Sequence, residues 1–170
     1  MKKILMGASI LFLALILGAC STSDKSVHES TTSTDKLTKA ESPKYEVGTK
    51  VIINTDHMEG MDGAEGTVSG VYDTTIYSVN YKSSDGEEVK NHKWVIKEEL
   101  EDSKGKDYVV GDEVILKNGH MSGMGGEGMK AQIVEVVQGP VYMVDYKPTN
   151  GEKEVKNHQW VVESELKADK

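Results

Sequence analysis

Two short patterns, each present twice, constrain this sequence more than any other feature. The pattern HMxGM occurs at residues 57–61 and again at 120–124, and the pattern VKNHxWV occurs at 89–95 and again at 155–161. Repetition of this kind identifies two copies of one small structural unit. The copies act as an internal control, because a ligand set that each copy needs should persist where the neighbouring residues differ.

Residues 1–19 predict a lipoprotein signal peptide. Lys2 and Lys3 precede a charge-free apolar run from Ile4 to Leu17, and small residues follow before Cys20. This pattern is typical of a secretory signal and not of a membrane-spanning helix. The ending Leu-Gly-Ala-Cys resembles a bacterial lipobox, whereas an ordinary signal-peptidase site would leave the position of the only cysteine unexplained. We expect Cys20 to carry acyl chains, palmitate among them, that anchor the protein at the extracellular face of the membrane.

The composition of the mature chain restricts its partners. With Cys20 lipidated, no cysteine remains for a disulfide, a thiolate ligand or a nucleophile. Loss of Lys2 and Lys3 takes the 20 basic side chains to 18 against 28 acidic ones, so the formal charge falls from −8 to −10. An acidic surface repels nucleic acid and attracts cations.

The chain divides into a tether and two repeats. Eleven of the 23 residues in 21–43 are Ser or Thr, which predicts a flexible tether over 20–44. The repeats follow at 45–102 and 108–167, joined by a short polar linker. Strands are predicted at 50–54, 66–72, 74–82 and 87–96 and at the equivalent positions of the second repeat. The predicted fold is all-β, with two tandem small β-barrel domains that are SH3-like or OB-like, of which SH3-like is favoured.

Sulfur and imidazole side chains mark the HMxGM motif. Four of the six methionines after Cys20 lie in its two copies. Glycines around both motifs predict loops, which usually lie at the surface, so paired methionines there call for a reason other than core packing. Thioether and imidazole together suit Cu(I). The candidate metal ligands are His57, Met58, Met61, His120, Met121 and Met124.

The internal control narrows the choice of metal. Asp56 and Asp62 flank the first motif, but glycine stands at the equivalent positions 119 and 125, so a calcium or magnesium site would exist in one repeat only. Zinc would normally take more nitrogen or a thiolate. Cu(I) or Ag(I) is therefore favoured, with Cu(II) on the histidines next. The alternative is a methionine-rich loop that docks another protein.

The VKNHxWV motif leaves the role of its histidine open. Alternation along a strand over 87–96 places His92 and Trp94 on one face. We interpret Trp94 as structural; its alternative role is to shield the loop site or stack on a bound cation. The further candidate ligands or shielding residues are His92, His158, Met129, Trp94 and Trp160.

No enzymatic constellation recurs in both repeats. The sequence has no Ser-His-Asp order common to the two copies and no phosphate-binding glycine loop before a helix. Glu99 recurs as Glu165, but these positions close each repeat and are interpreted as part of a solvated face. The sequence predicts a non-enzymatic protein.

Taken together, the lipobox, the Ser/Thr-rich tether and the two copies of HMxGM and VKNHxWV resemble the YdhK family of Gram-positive lipoproteins. The resemblance covers residues 20–166. Members of that family occur beside copper-tolerance genes, so the resemblance implies extracytoplasmic copper binding by the six motif residues named above. The second loop departs from the first by two additional residues, and Met129 there is a candidate to replace one methionine of the motif.

The resulting hypothesis is a membrane-anchored lipoprotein that holds Cu(I) outside the cell, as a buffer or as a donor to a copper exporter or an oxidase. The competing hypothesis is a non-enzymatic interaction module that binds cell wall or a partner protein through exposed aromatic residues such as Tyr72 and Trp94. A third hypothesis has the methionines act as oxidant traps.

Overall fold

The computed structural model describes residues 32–117, 119–120, 123–124 and 128–169. The predicted lipidation site Cys20 and the motif residue Met121 lie outside the described residues. The regular structure is β-strand with two short 3-10 helices, which confirms the predicted all-β class. The strands are β1 Lys50–Ile53, β2 Glu65–Lys82, β3 Glu88–Ile96, β4 Glu113–Leu116, β5 Met129–Lys147, β6 Val155–Val162 and β7 Leu166–Ala168, and the 3-10 helices are Lys97–Glu99 and Glu163–Glu165.

The longest strands, β2 and β5, form the backbone of the fold. They pair antiparallel along almost their whole length, from Glu65 opposite Lys147 to Tyr81 opposite Ala131. The sequence predicted two strands, 66–72 and 74–82, where β2 is one. Asp73 does not end the strand: it lies opposite Pro140 on β5, and the pairing continues on both sides.

Each hydrophobic core draws on both repeats. In the first core, which we call lobe 1, Val51 and Val68 of the first repeat pack with Tyr142, Val144 and Leu166 of the second. Lobe 2 has the reverse composition: the second half of the first repeat packs with the first half of the second. Strand pairing agrees, since β7 pairs with β1 and Leu100 forms a bridge with Leu116. Each core therefore combines halves of both repeats, and the SH3-like barrel description of the two domains stays a prediction.

A third core, the central cluster, lies between the lobes. It joins Trp94 and Ile96 of the first repeat to Trp160 and Val141 of the second. Tyr72 packs edge-on against Trp160, with ring centroids 6.0 Å apart. This cluster therefore contains side chains of both repeats.

Residues 32–44, which we call the strap, pack against this body. Thr32 is 8% exposed, Leu37 contacts the central cluster, and Lys39 pairs with Tyr72 of β2. The predicted flexible tether over 20–44 is therefore too long at its C-terminal end. Leu37 supplies the apolar contact, and the pairing with β2 satisfies backbone groups that a coil would leave to water. No helix within the described residues has the length and apolarity to cross a membrane.

Candidate metal centres

The HMxGM loops are held by glycines and by the opposite repeat. Gly60 and Gly123 adopt φ values of +75° and +78°, a left-handed conformation that glycine adopts without a steric penalty. The Gly60 carbonyl accepts a hydrogen bond from the Thr149 N–H at 2.9 Å, and the Gly123 carbonyl accepts one from the Ser84 N–H at 3.2 Å. Each loop is thus fixed on the turn that precedes the VKNHxWV motif of the other repeat.

The VKNHxWV motif breaks the alternation of its strand. Asn91 has φ +51° and donates its N–H to Asn80 Oδ1, and the pairing of β3 with β2 shifts register twice across this region. Asn157 repeats the left-handed conformation at φ +50°. The sequence prediction that His92 and Trp94 share one face is therefore wrong. His92 is half-buried, and Trp94 begins a run of three consecutive buried residues.

The first centre, the His57 cluster, joins the two repeats through a buried carboxylate. His57 Nε2 lies 2.9 Å from Glu165 Oε1, and Trp94 Nε1 donates to Glu165 Oε2 at 2.9 Å. Thr55 Oγ1 and the Val162 N–H complete the four donors. Because a carboxylate only accepts, His57 Nε2 carries the proton. His57 Nδ1 is buried and finds no hydrogen-bond partner among the described residues.

The second centre, the His120 cluster, repeats this arrangement with the repeats exchanged. Glu99 is fully buried and accepts from His120 Nδ1 at 3.3 Å and Trp160 Nε1 at 3.4 Å. The Ile96 N–H and Thr32 Oγ1 are its other donors, at 2.9 and 2.6 Å. His120 Nε2 lies 3.2 Å from His92 Nε2, so two imidazoles face each other inside the protein.

The first VKNHxWV motif serves both centres. Trp94 belongs to the His57 cluster, whereas His92 contacts His120 in the other cluster. His92 also lies edge-on to Tyr81, with ring centroids 5.6 Å apart, and His158 lies against Tyr146 at the same distance. Trp94 and Tyr72 are both buried, so neither offers the exposed aromatic surface that the interaction hypothesis expected.

The electrostatics keep the carboxylates ionised and the imidazole of His92 neutral. Burial by itself would raise the pKa of Glu99, but the charge of His120 and the hydrogen bonds from His120 and Thr32 hold it below its usual range. Burial by itself would also raise the pKa of Glu165, but it is lowered by the hydrogen bonds from His57, the Val162 N–H and Trp94. Burial and then the charge of His120 lower the pKa of His92 to about 3, so this imidazole is neutral at physiological pH.

The methionines of the motif are less exposed than the sequence suggested. Met61 is completely buried in lobe 1, and Met124 is 5% exposed in lobe 2. Met58 is half-buried against lobe 1, and Met129, at the start of β5, is half-buried against lobe 2. The expectation that glycine-rich loops keep these side chains at the surface is wrong for Met61 and Met124, because the tight turns direct the chain back into the cores.

Among the described residues, no group of three or more His, Cys, Asp or Glu side chains is arranged to hold a metal ion. The candidate ligand sets of the HMxGM loops are of another kind, because each loop supplies methionine thioethers beside its histidine.

The family assignment rests on a match that appears twice. The model of the family described as "Protein of unknown function (DUF1541)" matches residues 47–97 and 110–163. The chain belongs to the DUF1541 family. It is 44% identical to the uncharacterised protein YdhK of Bacillus subtilis strain 168, over 98% of this chain and 90% of that protein.

Solved DUF1541 structures share the fold. The crystal structure of YdhK from B. subtilis has 48% sequence identity and a TM-score of 0.78, covering 84% of this chain and 97% of that one. The solution structure of the YdhK C-terminal domain has 52% identity and a TM-score of 0.68, over 72% and 92% of the two chains. The predicted membership of the YdhK family is confirmed.

Sequence reasoning missed the two carboxylates that organise these DUF1541 centres. Glu99 and Glu165 were interpreted as solvated, yet both are buried acceptors of four hydrogen bonds. Both lie two residues beyond the ends of the matched segments, at 97 and 163. The recurrence of each glutamate directly before the closing leucine was the available signal. Nothing in the sequence indicated that Thr32 would contact one of them.

Proposed function

We propose that this protein is a non-enzymatic, membrane-anchored lipoprotein that binds Cu(I) outside the cell. One observation carries the proposal. In each centre a histidine is anchored through one ring nitrogen to a buried carboxylate, and its other ring nitrogen faces the interior. Histidines that bind metals usually donate their second N–H to a carboxylate or carbonyl in this way.

The available ring nitrogens support a cation in both centres. A buried acceptor without a partner costs about 1–3 kcal/mol, so a cation at His57 Nδ1 would offset a penalty that the fold now bears. At the other centre, the 3.2 Å between His92 Nε2 and His120 Nε2 allows a shared proton. The same separation also suits two nitrogen ligands that each lie about 2.0–2.1 Å from one shared ion.

The donor chemistry favours a soft monovalent ion. Neutral imidazole and thioether suit Cu(I), and the first HMxGM loop places Met58 directly after His57. Met61 and Met124 would approach from the cores, and Met121 and Met129 are further candidates in the second loop. Trp94 and Trp160 act through the glutamates that they hold and not as ligands. His158 remains a candidate beside Tyr146.

The location follows from the N-terminal sequence. Lipidation of Cys20 after cleavage would hold the body outside the membrane, where it would limit copper entry or supply a copper exporter. This part of the proposal is independent of the metal centres, and a globomycin-sensitive shift in electrophoretic mobility of the cellular protein would test it.

Cu(I) titration of the untagged chain from Ser21 to Lys170, against a chromophoric chelator without oxygen, tests the metal proposal. We expect two tight equivalents. His57→Gln keeps a donor near the Nε2 position but removes Nδ1, so it should abolish one equivalent. His120→Asn keeps a donor near Nδ1 but removes Nε2, so it should abolish the other.

The control is Met143→Leu, which removes a buried thioether that lies 3.9 Å from Gln159 Nε2 and outside both loops. It should retain both equivalents. Retention of both equivalents by the double variant His57→Gln/His120→Asn, or failure of the parent protein to compete with the chelator, would disprove the proposed centres.

A further inference from the structure

The strap fills a gap along one edge of β2. On that edge β2 pairs with β1 at residues 65–67 and with β3 from residue 76 onward, which leaves 71–73 between them. The Ala40 N–H donates to the Val71 carbonyl at 3.1 Å, and the Asp73 N–H donates to the Thr38 carbonyl at 2.9 Å. The strap therefore adds to β2 through a single antiparallel bridge, with Lys39 opposite Tyr72.

Side chains hold the strap in a groove beside this edge. Leu37 contacts the central cluster, which includes Tyr72 and Trp160. Gln159 Nε2 donates to the Thr32 carbonyl at 3.0 Å. Backbone pairing and one aliphatic anchor are thus the main features by which the strap is recognised, as in other strand-addition interfaces.

The second repeat carries an equivalent gap on β5. There β5 pairs with β4 at residues 129–132 and with β6 from residue 141, which leaves 136–138 between them. In the described part of the chain, no segment pairs with 136–138 on that edge. The repeat alignment relates Val136 to Val71 and Gln138 to Asp73, the two residues of β2 that bond the strap.

A cavity of about 600 Å³ lies beside this gap, and we call it the second groove. Its lining includes Val137, Gln138, Trp94 and Glu165. Trp94 and Glu165 are the repeat equivalents of Trp160 and Glu99 in the strap groove. Lys93 takes the place of Gln159 and lies with its Nζ 4.7 Å from the centre of the Trp94 ring.

We propose that the second groove binds an extended segment of another protein, which adds to β5 at Val136–Gln138 as the strap adds to β2. The segment carries an aliphatic residue at the position that Leu37 takes in the strap groove, and a backbone oxygen faces Lys93. It needs no hydroxyl group for Glu165, because Thr55 already donates to that carboxylate.

A partner protein fits this groove better than a second copy of the chain. The strap of a second copy would first have to leave its own groove, with loss of the Leu37 contact and the Thr32 hydrogen bond to Glu99. A foreign segment has no such contacts to give up.

The test uses a fluorescein-labelled peptide with the sequence of residues 32–43, titrated into the unlipidated chain 21–170 and followed by fluorescence polarisation. We expect saturable binding of one peptide per protein. Replacement of the peptide's leucine by aspartate should abolish it. Gln138→Pro removes the backbone N–H that is equivalent to that of Asp73. Because one backbone hydrogen bond to the peptide is then lost, binding should weaken at least about tenfold.

A second variant tests the same groove in case Gln138→Pro does not fold. Ser164→Trp would fill the rim of the second groove and should also abolish binding. Lys104→Trp, at an exposed linker position that does not line this groove, should leave binding unchanged. Absence of saturable binding at millimolar peptide, or equal binding by parent and both groove variants, would overturn the proposal. A concentration-dependent dimer that Gln138→Pro dissociates would also overturn it, because the occupant would then be a second copy.

Discussion

At the scale of single residues, the two buried glutamates have the largest role. Each accepts hydrogen bonds from a tryptophan, a histidine, a hydroxyl group and the backbone N–H just before its own 3-10 helix, so each links both repeats. Glu99 is the more deeply placed, with its side chain fully buried against 10% exposure for Glu165. A buried carboxylate with four donors is costly to alter, since the donors lose their acceptor together.

We therefore expect Glu99→Gln to lower the free energy of unfolding by about 2–4 kcal/mol, because an amide cannot accept at both positions and brings its own donors. Glu165→Gln should cost less. Urea denaturation followed by far-UV circular dichroism measures both. Glu98→Gln, on the exposed face of the same 3-10 helix, is the control and should stay within about 0.5 kcal/mol. Equal stability of the parent and Glu99→Gln would contradict the role given to this carboxylate.

At the scale of elements, the two long strands and the strap determine which parts of the chain meet. Each long strand crosses both lobes, so it places one half of its repeat in each core. The strap adds to the edge of β2 and covers Trp160 and Glu99 from outside. Its counterpart edge on β5 carries no such addition among the described residues, so the two repeats differ here.

Deletion of residues 21–43 should lower the free energy of unfolding by about 2–4 kcal/mol, from the Leu37 contact and the strap hydrogen bonds. It should also increase acrylamide quenching of tryptophan fluorescence as Trp160 loses its cover. Deletion of 21–31 alone is the matched control and should change neither quantity. Unchanged stability and quenching after the longer deletion would show that the strap does not contribute to the fold in solution.

At the scale of the whole molecule, the exchange of halves between repeats makes them mutually dependent. A small domain buries too little surface to tolerate the loss of half its core. Each repeat alone supplies half of lobe 1 and half of lobe 2, so neither contains a complete core.

Chains 32–104 and 105–170, expressed separately, should therefore give no folded monomer. Mixed in equal amounts, they should assemble into a one-to-one complex with the spectrum of the intact chain. Heteronuclear NMR and analytical ultracentrifugation measure both outcomes. A dispersed spectrum from either half as a monomer would show instead that each repeat closes its own barrel.

The sequence by itself determined the local features of this protein. Period-two alternation predicted the all-β class, duplication of HMxGM and VKNHxWV identified the repeats, and their combination pointed to the correct family. These features depend on neighbours a few residues apart, which is the range over which a linear pattern reports side-chain direction.

Only the tertiary structure decided which residues meet. His57 and Glu165 are 108 positions apart, Trp94 and Glu165 are 71 apart, and Thr32 and Glu99 are 67 apart. Their contacts depend on the register of β2 against β5 and on the left-handed turn at Asn91, which rotates His92 and Trp94 toward different centres. Alternation predicts on which face of a strand a side chain lies, but not which strand lies opposite. The sequence therefore could not show that each of the two glutamates is the buried acceptor of a histidine.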